Sequence, residues 1–261
     1  MKKSHKKKAH HKKTQNTSMP KKPIPRERIW ELDAFRGFCI LAMVLIHFVY
    51  DLTGLYQVIE WEQPRWFFLL QHWGGLLFLV LSGVCVTLGR HHVRRGLVVL
   101  FCGFLCTAVT YIMYKLNLAS RAIIIWFGAL HCLGCCMLLW YFFKKLPNWA
   151  LGICSAILIA VGIWLRTRLF DFHWLMPLGF LYPGFASSDY FPLLLNLGVF
   201  LAGAILGRKF YSAKKTLLPG ISGKNPAIRF LSACGKHSLW IYLLHQPILA
   251  GISALLAMLK G

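Results

Sequence analysis

Residues 35–56 read FRGFCILAMVLIHFVYDLTGLY. A helix needs about 20 mostly apolar residues to cross the roughly 30 Å hydrocarbon core of a bilayer, and this run supplies them. Six further windows of the same kind follow at about 66–88, 96–114, 122–143, 148–165, 191–207 and 230–259, separated by charged or Pro/Gly-containing breaks. The chain has 261 residues, 57% of them hydrophobic and 15% charged. So much apolar surface exceeds what a small core can hide, which excludes a compact soluble enzyme. The expected fold is all-α, a polytopic membrane protein of about seven transmembrane helices. The short sixth window carries Gly198, Gly203 and Gly207, and small residues of this kind let helix backbones approach closely in lipid.

Thirty Lys and Arg against eight Asp and Glu give a net charge of +22. Eleven of the thirty precede residue 29, so residues 1–28 form a separate basic tail, expected to be disordered, ahead of a membrane domain over 29–261. Its Lys/His run leads into Pro20, Pro23 and Pro25 rather than into a short apolar core and cleavage site, unlike a secretory signal. Each basic residue near an anionic leaflet contributes about 1 kcal/mol, so the tail favours contact with membrane lipids and fixes orientation. Nucleic acid is a disfavoured partner, because the tail has no interleaved aromatics. With the amino terminus in the cytoplasm, the inner side holds 24 Lys and Arg and the outer side six. The positive-inside rule therefore selects N-in, C-out, in the plasma membrane.

Nine cysteines lie in or beside apolar runs, as free thiols in helix seams do. The Cys132–Cys136 cluster lacks the second pair of ligands that a structural zinc site uses, so packing is the expected role and no metal is expected.

Ionisable groups at bilayer depth are costly and mark functional sites by default. His47 and Asp51 stand four residues apart, on one helical face, where a carboxylate can accept an imidazole N–H and leave the other ring nitrogen as a base. A polar pair that only joins helices is the equal alternative. Arg36 lies eleven residues before His47, about 16 Å along a helix. A donor with an anionic head and a long arm would be held at Arg36 while its reactive end reached His47; alternatively Arg36 only snorkels to lipid phosphates. His131, His245 and Gln246 fall at comparable depth in the fourth and seventh windows, each more often a packing residue than a catalyst when alone. His72 sits near the outer start of the second window, beside Trp66 and Trp73. His91 and His92 read as solvated charge in an inner loop whose Arg90, Arg94 and Arg95 are placed to grip a phosphate. The outer segment 166–190 carries Phe170, Phe172, Trp174, Phe180, Tyr182 and Phe185 and ends near Asp189. Such rings mostly form an interfacial belt, and they also suit a cap over an acceptor site.

The stretches RERIWELDAFRGFCILAMVLIHFVYDL, FLVLSGVCVTL, DYFPLLLNLGVFLAGAILGR and GKHSLWIYLLHQP resemble bacterial members of the heparan-α-glucosaminide N-acetyltransferase catalytic-domain family, within a wider superfamily of transmembrane acyltransferases. The resemblance runs from about residue 28 to the carboxyl end. It implies transfer of an acetyl group from cytoplasmic acetyl-CoA, as co-substrate, to a hydroxyl or amine of an envelope carbohydrate outside the membrane. Related acyltransferases carry an arginine, ten residues and a histidine in an early span, the spacing of Arg36 and His47. Long lysosomal members keep a catalytic histidine on the luminal side after the first span of the catalytic domain. His72 is the nearest counterpart, so His47 and His72 stay open as the base.

Chemically, a thioester is already activated, and the enzyme must position two substrates and remove a proton from the acceptor. His47 would take the proton, Asp51 would orient it, and His245 or Gln246 would donate to the oxyanion. An acetyl-histidine intermediate is an open second route. Two readings from other classes compete: a proton-coupled transporter built on the buried His/Asp set, and a non-catalytic membrane scaffold. No internal repeat is visible to favour the transporter. A homo-oligomer is compatible with either class.

Overall fold

A computed structural model describes residues 28–62 and 64–260, the His72 side chain excepted. Residues 1–27 of the basic tail therefore lie outside the described residues. Eight α-helices follow one another: α1 (Trp30–Tyr50), α2 (Arg65–Leu88), α3 (His92–Lys115), α4 (Ala129–Phe143), α5 (Asn148–Leu165), α6 (Leu193–Phe210), α7 (Pro226–Lys236) and α8 (Ser238–Lys260). Among the described residues six stretches are long and apolar enough to cross a membrane: α2, α3, α5, α6, α8 and α1 with its continuation to Leu55. The seventh apolar helix, α4, has only 15 residues, about 22 Å, which is short of the hydrocarbon thickness.

Close approaches between backbones fix the directions of the helices. Gly203 lies against Val80 and Gly207 against Val84, so α2 and α6 run parallel; Gly198 lies against Ser155 and Ile159 of the antiparallel α5. The three glycines act as the sequence suggests, admitting neighbouring backbone where a side chain would collide. Gly103 meets His131 and Gly96 meets Gly134, which makes α3 and α4 antiparallel. One end of the bundle thus gathers the start of α1, the end of α2, the start of α3, the end of α4 and the end of α6. Arg36, Arg90, Arg94, Arg95, Lys144, Lys145, Arg208 and Lys209 all fall there, and Arg208 ties two elements by donating to the carbonyls of Lys144 and Leu146, both at 2.7 Å. The apolar centre is formed by Leu151, Phe200, Leu201 and Ala204 with Cys132 and Cys136, all fully buried. The nine cysteines are free thiols.

Two windows differ from the sequence reading. The seventh, 230–259, breaks at His237 into α7 and α8. Asn225 caps α7 by accepting from the Ala227 N–H at 2.9 Å, with Pro226 at the first helical position. Helix α7 lies along the first turns of α1, and a Cβ on Gly37 or Gly235 would overlap the carbonyl of Leu231 or Asp33. The fourth window begins with a short 3-10 turn at Arg121–Ile123, and its helix starts only at Ala129.

Residues 124–128 between them are non-helical, and their backbone is answered by side chains. Thr110 Oγ1 accepts from Ile125 N–H, Thr107 donates to the Ile125 carbonyl, and Ser187 accepts from Trp126 N–H and donates to the Ile124 carbonyl. Phe127 bridges to the 190–191 backbone. Irregular backbone at such depth is tolerated only when satisfied in this way within protein.

Candidate active site

The first membrane helix changes character where its carboxylate occurs. Residues Asp51–Leu55 form a single turn of π-helix continuing α1, and on the facing helix α8 Pro247 interrupts the ladder, leaving the Leu243 carbonyl without its partner four residues on. Two helical irregularities thus face each other, and π-turns of this kind occur often at functional sites.

Between them lies a cluster of polar side chains. Asp51 is fully buried, and its hydrogen bonds come from Gln246 Nε2, 3.2 Å from each carboxylate oxygen, rather than from His47 as the one-turn spacing suggested. The His47 ring instead meets His245 edge-on, with centroids 5.0 Å apart. The long-range partner prevails because α8 runs alongside α1 in register, which the spacing within α1 cannot show.

The tautomer of His245 follows from its neighbour. Nδ1 lies 2.6 Å from the Tyr242 carbonyl oxygen, which only accepts, so Nδ1 bears the proton and Nε2 presents a lone pair. The Nε2 atom is buried without a hydrogen-bond partner among the described residues, as are Gln246 Oε1 and Ser253 Oγ on the same helix. Because the Gln246 amide N–H faces a carboxylate, its free atom is the acceptor. His245 and Gln246 therefore expose acceptors, not the oxyanion donors that the sequence suggested.

Tyr242 is in turn held from outside the spans. Its hydroxyl donates to Asp189 Oδ2 at 3.0 Å, and the same oxygen accepts from the Ala129 N–H at 2.9 Å, capping α4. Burial raises the Asp189 carboxyl above its ordinary value, while these two donors pull it back. Asp189 was expected among the substrate-facing carboxylates; its Oδ2 is committed internally. Tyr242 escaped the sequence reading because an aromatic in a membrane helix carries no signal until its partner is located.

The remaining candidates separate. His131 is buried with both nitrogens engaged: Nδ1 accepts from the Gly128 N–H at 3.2 Å, and Nε2–H faces Thr107 Oγ1 at 3.2 Å. It stabilises the start of α4 and does not join the His47–His245 pair. His92 is buried, with Nδ1 3.3 Å from the Met137 carbonyl, so it is a packing residue between α3 and α4 and not solvated charge. His91, Arg90, Arg94 and Arg95 are exposed at the basic end. The side chain of His72 lies outside the described residues. Arg36 is partly buried and donates to Cys85 Sγ at 2.9 Å and to Asp33 Oδ1 at 3.3 Å.

The described residues form a bundle of membrane helices with a partly buried imidazole pair, His47 and His245, next to the Asp51–Gln246 contact, and a basic cluster at one end. The chain matches the heparan-alpha-glucosaminide N-acetyltransferase catalytic family over residues 28–247 and belongs to that family, which makes it a transmembrane acetyltransferase. No curated protein and no solved structure matches it.

Proposed function

We propose that the protein moves an acetyl group from acetyl-CoA, bound at the basic end, to a hydroxyl or amine of a glycan on the opposite side of the plasma membrane, with its amino terminus in the cytoplasm and its carboxyl terminus outside. The observation that carries this reading is the pair of buried, unpartnered acceptors at His245 Nε2 and Gln246 Oε1 beside His47. Buried polar atoms without partners are rare and costly, and two adjacent acceptors suit a nucleophile that brings its own O–H or N–H.

Arg36, with Arg90, Arg94 and Arg95 nearby, would pair with the phosphates of acetyl-CoA. Eleven residues of α1 separate Arg36 from His47, about 16 Å, a distance suited to a donor with a long arm. The acceptor oxygen or nitrogen attacks the thioester carbonyl while its proton passes to His245 Nε2. A new C–O or C–N bond forms, the C–S bond breaks, and the CoA sulfur leaves as thiolate and takes up the proton. His245 keeps its Nδ1–H on the Tyr242 carbonyl throughout, which stabilises the transient imidazolium, while the Asp51 carboxylate holds the neighbouring Gln246 in place. This assigns the base to His245 and leaves His47 as the imidazole that faces the reacting carbonyl.

The test is acetyl transfer by purified protein in nanodiscs, using radiolabelled acetyl-CoA and glucosamine or a glucosamine oligosaccharide. Label appearing on the sugar in the wild type and lost in His245→Ala, with the variant still folded, supports the reading. Wild-type-like transfer in that variant overturns the assignment of the base, and proton-coupled sugar flux without acetyl product overturns the transferase.

A further inference from the structure

The segment between α5 and α6 builds a cup at the end of the bundle opposite the Arg36, Arg90, Arg94 and Arg95 cluster. Its rings pack on one another rather than spreading as a belt: Phe170 lies 4.9 Å from Phe180 and 5.5 Å from Phe172, and Tyr182 lies 5.5 Å from Phe185. The cup has a volume of about 580 Å³, within the roughly 300–1,000 Å³ of small-molecule sites. Trp126, Phe170, Phe172 and Tyr182 line it as half-buried rings, and the exposed side chains of Arg121, Asp171 and His173 stand at its rim. An apolar floor with a few convergent polar groups is the lining that ligand sites share. Flat rings joined to donors and acceptors fit a molecule with apolar C–H faces and a periphery of hydroxyls.

The cup shares a wall with the reactive cluster. Residues 124–129 and 187–191 lie side by side through the Phe127–Tyr190 bridge and the two Ser187 bonds. This wall turns Trp126 toward the cup and Asp189 toward Tyr242, on which His245 rests. Tyr190 fastens the far side of the cup by donating to the Met176 carbonyl at 2.7 Å.

We propose that this cup is a saccharide subsite, which grips units of the acceptor glycan adjoining the unit that receives the acetyl group. The inference rests on the transferase reading, and it makes an oligosaccharide a better acceptor than a single sugar. Arg121 and Asp171 hydrogen-bond ring hydroxyls, and Phe172 and Trp126 stack on the ring faces.

The experiment measures binding of a glucosamine tetrasaccharide to purified protein in nanodiscs by titration calorimetry without acetyl-CoA, and transfer with it. Arg121→Ala and the conservative Phe172→Leu are each expected to weaken tetrasaccharide binding about tenfold, whereas Trp149→Ala, exposed on α5 at the basic end, leaves it unchanged. Arg121 is exposed on a short turn, so its variant tests the cup even if Phe172→Leu unfolds. Undiminished binding in Arg121→Ala, or a wild type that binds the tetrasaccharide no better than glucosamine, overturns the subsite. Binding that is lost as expected, in a protein that never transfers acetyl, upholds the cup and sinks the transferase reading instead.

Discussion

His245 Nδ1 sits 2.6 Å from the carbonyl oxygen of Tyr242, three residues earlier in the same helix. This contact decides which nitrogen of the ring bears the proton and which presents a lone pair, and Asp189, through the Tyr242 hydroxyl, helps to hold the helix turn on which the ring sits. The turn that carries a membrane imidazole is thereby held in part by a loop carboxylate that touches neither His47 nor Asp51 in the hydrogen-bond network.

Removing the proposed base is expected to cost about 10²- to 10⁴-fold in acetyl transfer. His245→Ala and His47→Ala, compared by single-turnover transfer in nanodiscs, separate the two roles. The larger loss falls on His245. A larger loss for His47 at intact fold reverses the assignment.

Gln246→Leu leaves the Asp51 carboxylate buried with neither of its two donated contacts. A drop of about 1–3 kcal/mol in unfolding free energy is expected. The double variant Asp51→Leu/Gln246→Leu regains most of that stability and stays inactive, because the pair is then apolar on both sides. Thermal melts beside transfer assays check both halves.

Asp189 gives a pH signature. Burial raises its folded carboxyl above the ordinary 3.8, so the folded state binds this proton more tightly than the unfolded chain. Its contribution to stability is then full below about 3.8 and is lost as pH rises through the folded value. Asp189→Asn removes this part of the slope. Melting temperatures between pH 4 and pH 7 are expected to fall with pH more in the wild type than in the variant.

Arg36→Ala is expected to raise the KM for acetyl-CoA about tenfold, equivalent to about 1.4 kcal/mol, with little change in kcat, as loss of uniform binding does. A fall in kcat at constant KM places Arg36 outside donor binding.

At the α1–α7 contact, Gly37→Ala puts a Cβ into the Leu231 carbonyl. The expected cost is about 1–3 kcal/mol of overpacking, read as faster trypsin cleavage at Arg229 and Lys236 when α7 lifts from α1.

The apolar windows alone determined that the chain is a bundle of membrane helices, because a bilayer admits little else at that length and hydropathy. The clustering of Arg and Lys between alternate windows already indicated that one end would be basic. Within the site, His47, Asp51, His245 and Gln246 were legible as costly side chains in lipid, but their pairing was not. The i,i+4 rule sees only one helix, and the decisive bonds run between α1 and α8. The same limit hid the extended residues 124–128, whose apolar sequence reads as helix until Thr107, Thr110 and Ser187 arrive from elsewhere in the chain to satisfy their backbone. Tertiary structure alone decided which polar atoms are spent inside the protein, as at His131 and Asp189, and which are left as acceptors, as at His245 and Gln246, because hydrogen bonding is settled by neighbours in space.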